Sequence, residues 1–160
     1  MAVHVTNDEQ FMRLALAEAA QAATEGEVPV GAVVVCDGRI VGRGRNARER
    51  LQDATAHAEI LAITAASQSL GSWRLEDCTL YVTLEPCPMC MGAALNARIR
   101  RVVYGALEPK FGACGSVVDL RAPPGFNHQI TCLGGVLGEE SGRLLVEFFR
   151  ALRQKNQTRL

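Results

Sequence analysis

The chain has 160 residues, 48% of them hydrophobic, and its 17 basic and 17 acidic side chains give a formal net charge of zero. That length suits one domain that buries a core without staples, and the neutral balance excludes a binder of nucleic acid held by net charge alone. No basic segment followed by an apolar run opens the sequence, and nothing approaches the roughly 20 apolar residues needed to cross a bilayer, so a cytoplasmic protein without membrane attachment is expected.

Residues 8 to about 25 are rich in Ala and Leu, with Phe11, Leu14, Ala15 and Ala22 at helical spacing, and predict a helix. Residues 28–36 and 39–45 are strand-like and joined by Asp37-Gly38, a strong two-residue hairpin signal. A second helix follows Thr55, with Asp53 or Thr55 as its N-cap and good helix formers from Ala58 to Ala66. Residues 79–84 read as a strand, Pro88 suits the first position of a helix running through Met91, Ala93 and Ala94, and 101–104 is a further strand. Residues 105–127 form a long connection punctuated by Gly112, Gly115, Pro123, Pro124 and Gly125, and loops of that length are commonly functional. A short strand at 130–133 and a closing helix from 139 to about 155 complete a sheet covered by helices, with no internal repeat or linker.

Two segments about thirty residues apart carry the chemistry: His57-Ala58-Glu59 and Pro86-Cys87-Pro88-Met89-Cys90. They supply one imidazole, two thiolates and an acid left free for proton transfer. Three such ligands leave tetrahedral zinc one open position, which separates catalytic from structural zinc. Positions two apart face opposite sides of a continuous helix, so His57 and Glu59 can share a site only where a helix begins. Cys87 and Cys90, three apart, share a face. Two helix N-termini would then converge on the metal, favouring thiolate over thiol. Cys87 and Cys90 alone could be a redox pair. A structural zinc site would need a fourth ligand, and Cys78 and Cys114 are the nearest candidates. An H-x-E segment followed by P-C-x-x-C is a signature of the zinc nucleobase deaminases. The chemistry expected is hydrolytic deamination of an amino-purine or amino-pyrimidine, with Glu59 moving the protons.

The four remaining cysteines, Cys36, Cys78, Cys114 and Cys132, show no disulfide framework and are expected to be mostly buried, reduced thiols. Basic residues cluster in three stretches: Arg39, Arg43, Arg45, Arg48 and Arg50; Arg98, Arg100 and Arg101; and Arg143, Arg150, Arg153, Lys155 and Arg159. Charge runs are usually solvated faces, but three of them suggest a local anionic footprint.

On these motifs the sequence resembles the cytidine deaminase-like superfamily and, within it, the bacterial tRNA adenosine deaminases, over nearly its whole length. The resemblance runs through Glu27-Val28-Pro29-Val30-Gly31-Ala32-Val33, Gly44-Arg45-Asn46, Thr55-Ala56-His57-Ala58-Glu59 and the stretch from Leu80 to Cys90. More selective for the tRNA enzymes are Gly112-Ala113-Cys114-Gly115-Ser116, Asn127-His128 and Leu144-Leu145-Val146-Glu147-Phe148-Phe149-Arg150. It implies a single α/β domain, a three-layer α/β/α sandwich with a mixed central sheet of about five strands, and a homodimer. It also implies conversion of adenosine to inosine at the wobble position of a tRNA anticodon stem-loop, with one zinc per subunit and no organic cofactor. By the same resemblance His57, Cys87 and Cys90 bind zinc and Glu59 shuttles protons. Asn46 would hydrogen-bond the extruded nucleotide, and Val30, the backbone of Ala58 and Leu84 would line the base pocket. Phe148, Phe149 and Arg150 would pack beside or touch loop nucleotides, core packing of the last helix being the other reading of the two phenylalanines, and Glu108 would lie near the substrate backbone. Two positions depart from the family pattern: Glu108 stands where members often have Asp, and Asp53-Ala54-Thr55 lacks the proline often found between Asp and Thr. The competing readings are a free nucleobase deaminase acting on guanine or cytosine, and a non-catalytic zinc-stabilised RNA-binding module.

Overall fold

Helix α1 (Asn7–Thr24) leads into a hairpin of β1 (Gly31–Cys36) and β2 (Arg39–Arg45), then a single turn, α2 (Arg48–Leu51). Helix α3 (Ala58–Leu70), β3 (Cys78–Leu84), α4 (Pro88–Asn96), β4 (Arg101–Ala106), β5 (Thr131–Leu133) and α5 (Gly138–Gln157) follow. The computed structural model describes residues 7–159. The strands form one sheet ordered β2-β1-β3-β4-β5. Strand β1 is antiparallel to β2 and β3, whereas β3, β4 and β5 run parallel, so the sheet is mixed.

The hairpin turns as its sequence demands: Asp37 (φ 51°) and Gly38 (φ 73°) both occupy the left-handed region that matches strand twist. The first strand begins three residues later than its apolar run. Pro29 has no N–H to give to a ladder, and the Val30 N–H turns back to the Val28 carbonyl (2.8 Å). The one-turn helix α2 was not anticipated, since four residues carry no helical period.

Alternation along the strands divides the core in two. Val33, Val35, Tyr81 and Val103 pack with Met12 and Ala15 of α1. Ala32, Val34, Leu80, Val82 and Val102 pack with Ala58 and Ala62 of α3 and with Met91 and Ala94 of α4. Helix α5 lies beside α1, tied by Arg13 to Glu140 (3.2 Å), which completes three layers. On the opposite face α3 rests directly on β2. A Cβ at Gly42 would run into Ala62 and Ala66, and one at Gly44 into the α3 backbone at Ala58 and Ala62.

Several of the basic residues are occupied inside the fold. Arg45 bonds Glu18 (3.1 Å) of α1 and Glu25 (2.8 Å) in the turn that follows it, fixing the end of β2 to the end of that helix. Arg101 holds both oxygens of Asp8 (2.8 and 2.7 Å), which also accepts the Tyr81 hydroxyl (2.8 Å). Arg98 caps the Leu95 carbonyl (2.8 Å). The first two basic stretches are thus partly intramolecular, and the anionic footprint suggested by the charge pattern shrinks accordingly. All six cysteines are free; Cys78 and Cys114 are buried, and Cys36 and Cys132 half-buried. No described helix is long and apolar enough to cross a membrane.

Candidate active site

His57 and Cys87 occupy matching places. Each is the extended residue before a helix, at φ −77°, ψ 153° ahead of α3 and φ −76°, ψ 171° ahead of α4, and neither side chain caps its own helix. Both side chains are turned toward each other instead, and Pro88 takes the first helical position as its fixed φ favours. Asp53 and Thr55 do not cap α3. The Asp53 carboxylate accepts the Thr55 N–H (2.8 Å) and hydroxyl (2.7 Å) in a turn of their own, and the cap position belongs to His57. Because α3 starts at Ala58, Glu59 lies in its first turn beside the imidazole that precedes it.

Cys87 Sγ and Cys90 Sγ each stand 3.6 Å from His57 Nδ1, and the three donor atoms lie within 4.8 Å of one another. Tetrahedral zinc, with bonds of about 2.3 Å to sulfur and 2.0–2.1 Å to nitrogen, sets its N and S ligands about 3.6 Å apart. The donor set therefore fits zinc and leaves the fourth position open. Neither candidate for a fourth ligand joins it: Cys114 Sγ packs against Met91 Sδ (3.6 Å) and Cys132 Sγ (3.8 Å), and Cys78 pairs in register with Cys36.

The three donor groups perturb one another. The bond from the Cys90 thiol, with a further contribution from His57, overrides burial and pulls the Cys87 thiol down to about 4. The same bond and burial push Cys90 up, while the contact with Cys87 raises His57. Glu59 is only 4% exposed. Burial raises its carboxyl above the ordinary value, opposed by a hydrogen bond with Cys90.

His57, Glu59 and Cys87 line a cavity of about 750 Å³, and Cys90 itself is fully buried. Of the residues expected around a substrate, Val30, Asn46, Ala58, Leu84, Glu108 and Phe149 line it. Asn46, 8% exposed, is held by the Val28 carbonyl (3.4 Å) and the Arg48 N–H (3.3 Å), which leaves one amide N–H and acceptor capacity on its oxygen for a ligand. Phe148 and Arg150 do not line the cavity. Phe148 is half-buried, its ring edge-on to Phe149 at 5.4 Å, and Arg150 is exposed further along α5.

Arg48, Glu85, Lys110 and Phe111 also line the cavity and were not singled out from the sequence as site residues. Arg48 was visible only as one cation in a basic stretch, and Glu85 as an acid closing an apolar strand. A second hollow of about 660 Å³ lies between α1 and α5, lined among others by Leu16, Leu137, Arg143 and Leu144, and contains neither His nor Cys.

Residues 5–106 match the family model for the cytidine and deoxycytidylate deaminase zinc-binding region. Over 153 residues, 96% of this chain and 95% of the relative, the sequence is 50% identical to the tRNA-specific adenosine deaminase of Bacillus subtilis (strain 168). A solved structure from studies of A-to-I editing by tRNA:A34 deaminases at the wobble position superposes with a TM-score of 0.82 at 48% identity, covering 85% of this chain and 99% of that one. A guanine deaminase from Nitrosomonas europaea superposes at 0.77 with 25% identity, covering 92% of this chain and 85% of its own. A family match that takes in both halves of the His57, Cys87 and Cys90 cluster, joined to this likeness along nearly the whole length, makes the chain a member of the cytidine and deoxycytidylate deaminase zinc-binding family.

Proposed function

We propose that this chain is a single-domain, zinc-dependent deaminase that converts adenosine to inosine at the wobble position of a tRNA anticodon stem-loop, working as a cytoplasmic homodimer. The observation that carries the chemistry is the buried, non-ligand Glu59 beside a three-donor cluster that opens on a cavity. His57 Nδ1, Cys87 Sγ and Cys90 Sγ would hold the ion. When bound, zinc supplies a Lewis acid that makes water nucleophilic at neutral pH.

Glu59, its carboxyl raised by burial, accepts the proton of the attacking water and delivers it to N1 of adenine. It then carries the second proton to the departing amine: oxygen adds at C6, the C6–N bond breaks, and inosine and ammonia leave. Asn46 offers its spare amide hydrogen-bonding capacity to the nucleotide, Val30 and Leu84 flank the base, and the Ala58 backbone completes the floor. Phe149 and Glu108 stand where neighbouring nucleotides would pass, while Phe148 and Arg150 lie outside this wall.

Deamination of a free base is the second reading, favoured by the likeness to a guanine deaminase. Two features support RNA over a free base. The relatives at 48–50% identity are tRNA deaminases, and the cavity is lined by the cations Arg48 and Lys110 and the exposed rings Phe111 and Phe149, which suit phosphates and splayed bases.

The deciding experiment is inosine formation by zinc-loaded protein on an anticodon stem-loop with a wobble adenosine, beside Glu59→Ala and beside free guanine, cytosine and cytidine. Inosine from the parent alone is expected. Ammonia from a free base with the stem-loop untouched would overturn the substrate, and full activity in Glu59→Ala would overturn the proton carrier.

A further inference from the structure

We propose that Glu85 is a positioning residue whose buried carboxylate ties the metal-bearing segment to the loop forming one cavity wall, and so sets the grip on the substrate rather than the chemical step. Glu85 follows Leu84 at the end of β3, stands two residues before Cys87, and is 2% exposed. Four donors converge on it, all from one stretch of chain. Its Oε1 accepts the Ser116 hydroxyl (2.5 Å) and the Glu108 N–H (3.2 Å), and its Oε2 accepts the Cys114 N–H (2.9 Å) and the Ser116 N–H (3.3 Å). The loop closes so tightly around the carboxylate that a Cβ at Gly112 would run into it. Backbone bonds from Glu85 to Ala106 and from Ala113 to Pro86, each 2.8 Å, fasten the loop on either side.

A buried carboxylate with four donors is a high-stakes arrangement, because removing the acceptor strands every N–H aimed at it. What it organises points outward: Glu108, Lys110 and Phe111 on this loop line the cavity, and Phe111 is 65% exposed. None of the four bonds reaches His57, Cys87, Cys90 or Glu59. The two functions of the segment are thereby separable, with the ligands at Cys87 and Cys90 on one side and the wall held by Glu85 on the other. An RNA loop pressed against this wall would feel its loss. This last step rests on the tRNA reading above.

The test uses full-length zinc-loaded protein and the variants Glu85→Gln and Ser116→Ala. Three quantities are measured: zinc content, amide hydrogen exchange at Glu108, Cys114 and Ser116, and KM and kcat on the anticodon stem-loop. For Glu85→Gln, exchange at these three amides should rise about tenfold or more while core amides at Val82 and Val103 hold steady. Zinc should stay at one per chain, and KM should rise about tenfold with kcat within about twofold. Ser116→Ala, which removes one donor, should raise KM by about threefold, and it carries the test if Glu85→Gln does not fold. Lost zinc, a fall in kcat with KM unchanged, or unaltered exchange at the three amides would overturn the proposal. Should the parent leave the stem-loop untouched, the substrate reading fails, while the exchange data still decide whether Glu85 holds the loop.

Discussion

Replacing Gly44 with alanine should damage the site through a clash that no side chain can relieve. The new methyl would lie 2.6 Å from the Ala62 nitrogen, nearer still to the Ala58 carbonyl oxygen, and 3.1 Å from Leu61 Cβ. Ordinary contact begins near 3.4 Å, so β2 and the first turn of α3 must part by rather more than about 1 Å to clear the Ala58 carbonyl oxygen, and overpacking of this kind costs about 1–3 kcal/mol. For a chain of this size that lowers the melting temperature by roughly 3–10 °C. The turn that must move follows His57 directly and contains Glu59, and misplacement near 1 Å costs up to about 100-fold in rate. We therefore expect Gly44→Ala to lose both stability and about 10- to 100-fold in kcat/KM. Gly92→Ala is the control: it sits inside α4 with no atom within 4 Å of an added methyl, and should stabilise by about 0.5–1 kcal/mol. Thermal unfolding, zinc analysis and inosine formation on both variants read the outcome. A Gly44→Ala protein that melts with the parent and deaminates at its rate would refute the close contact between β2 and α3.

Alanine at His57, Cys87 or Cys90 should each reduce zinc content by about tenfold or more, whereas Glu59→Gln keeps the metal and loses turnover; atomic absorption on the four purified variants decides. Chelation of the parent should abolish activity and lower its melting temperature, both restored by added zinc. Asp8 is held below its ordinary 3.8 by the Arg101 guanidinium, against burial, so its contribution is present above pH 3.8 and lost as pH falls through the depressed value. Urea unfolding from pH 7 downward should show parent and Asp8→Asn converging in acid, and a constant gap would be inconsistent with this pairing. Phe149→Ala should raise KM on the stem-loop by about tenfold without changing stability, and Arg150→Ala, outside the cavity, should change it by less than about threefold; equal effects would redraw the wall.

The metal-cluster geometry was legible because its spacing has few physical solutions. An imidazole and an acid two residues apart share a site only at a helix start, and α3 does begin at Ala58. The N-cap assignment failed for a related reason: Asp53 and Thr55 satisfy ordinary capping preference, but His57 needs the extended residue before the helix to aim its ring at Cys87. Charge patterning gave the least, since it does not reveal partners distant in sequence. Arg45 finds Glu18 on α1 and Glu25 just beyond it, and Arg101 of β4 finds Asp8 on α1. Phe148 and Phe149 could not be ranked by composition, yet consecutive helical residues point about 100° apart, so only one reaches the cavity. Glu85 was hidden because its partners lie 23 to 31 residues further on, in a loop whose path no periodicity describes.

The two margins of the sheet close it to extension. Strand β2, at one side, carries Arg39, Arg43 and Arg45, and its pairing with β1 is broken by an irregularity between Val34 and Val35. At the other side β5 is three residues long, too short to template a neighbour. Guanidinium groups, a kinked register and a truncated strand all discourage one chain from adding its backbone to another. A second copy would therefore have to associate through helices and loops, and not by adding a strand at either margin.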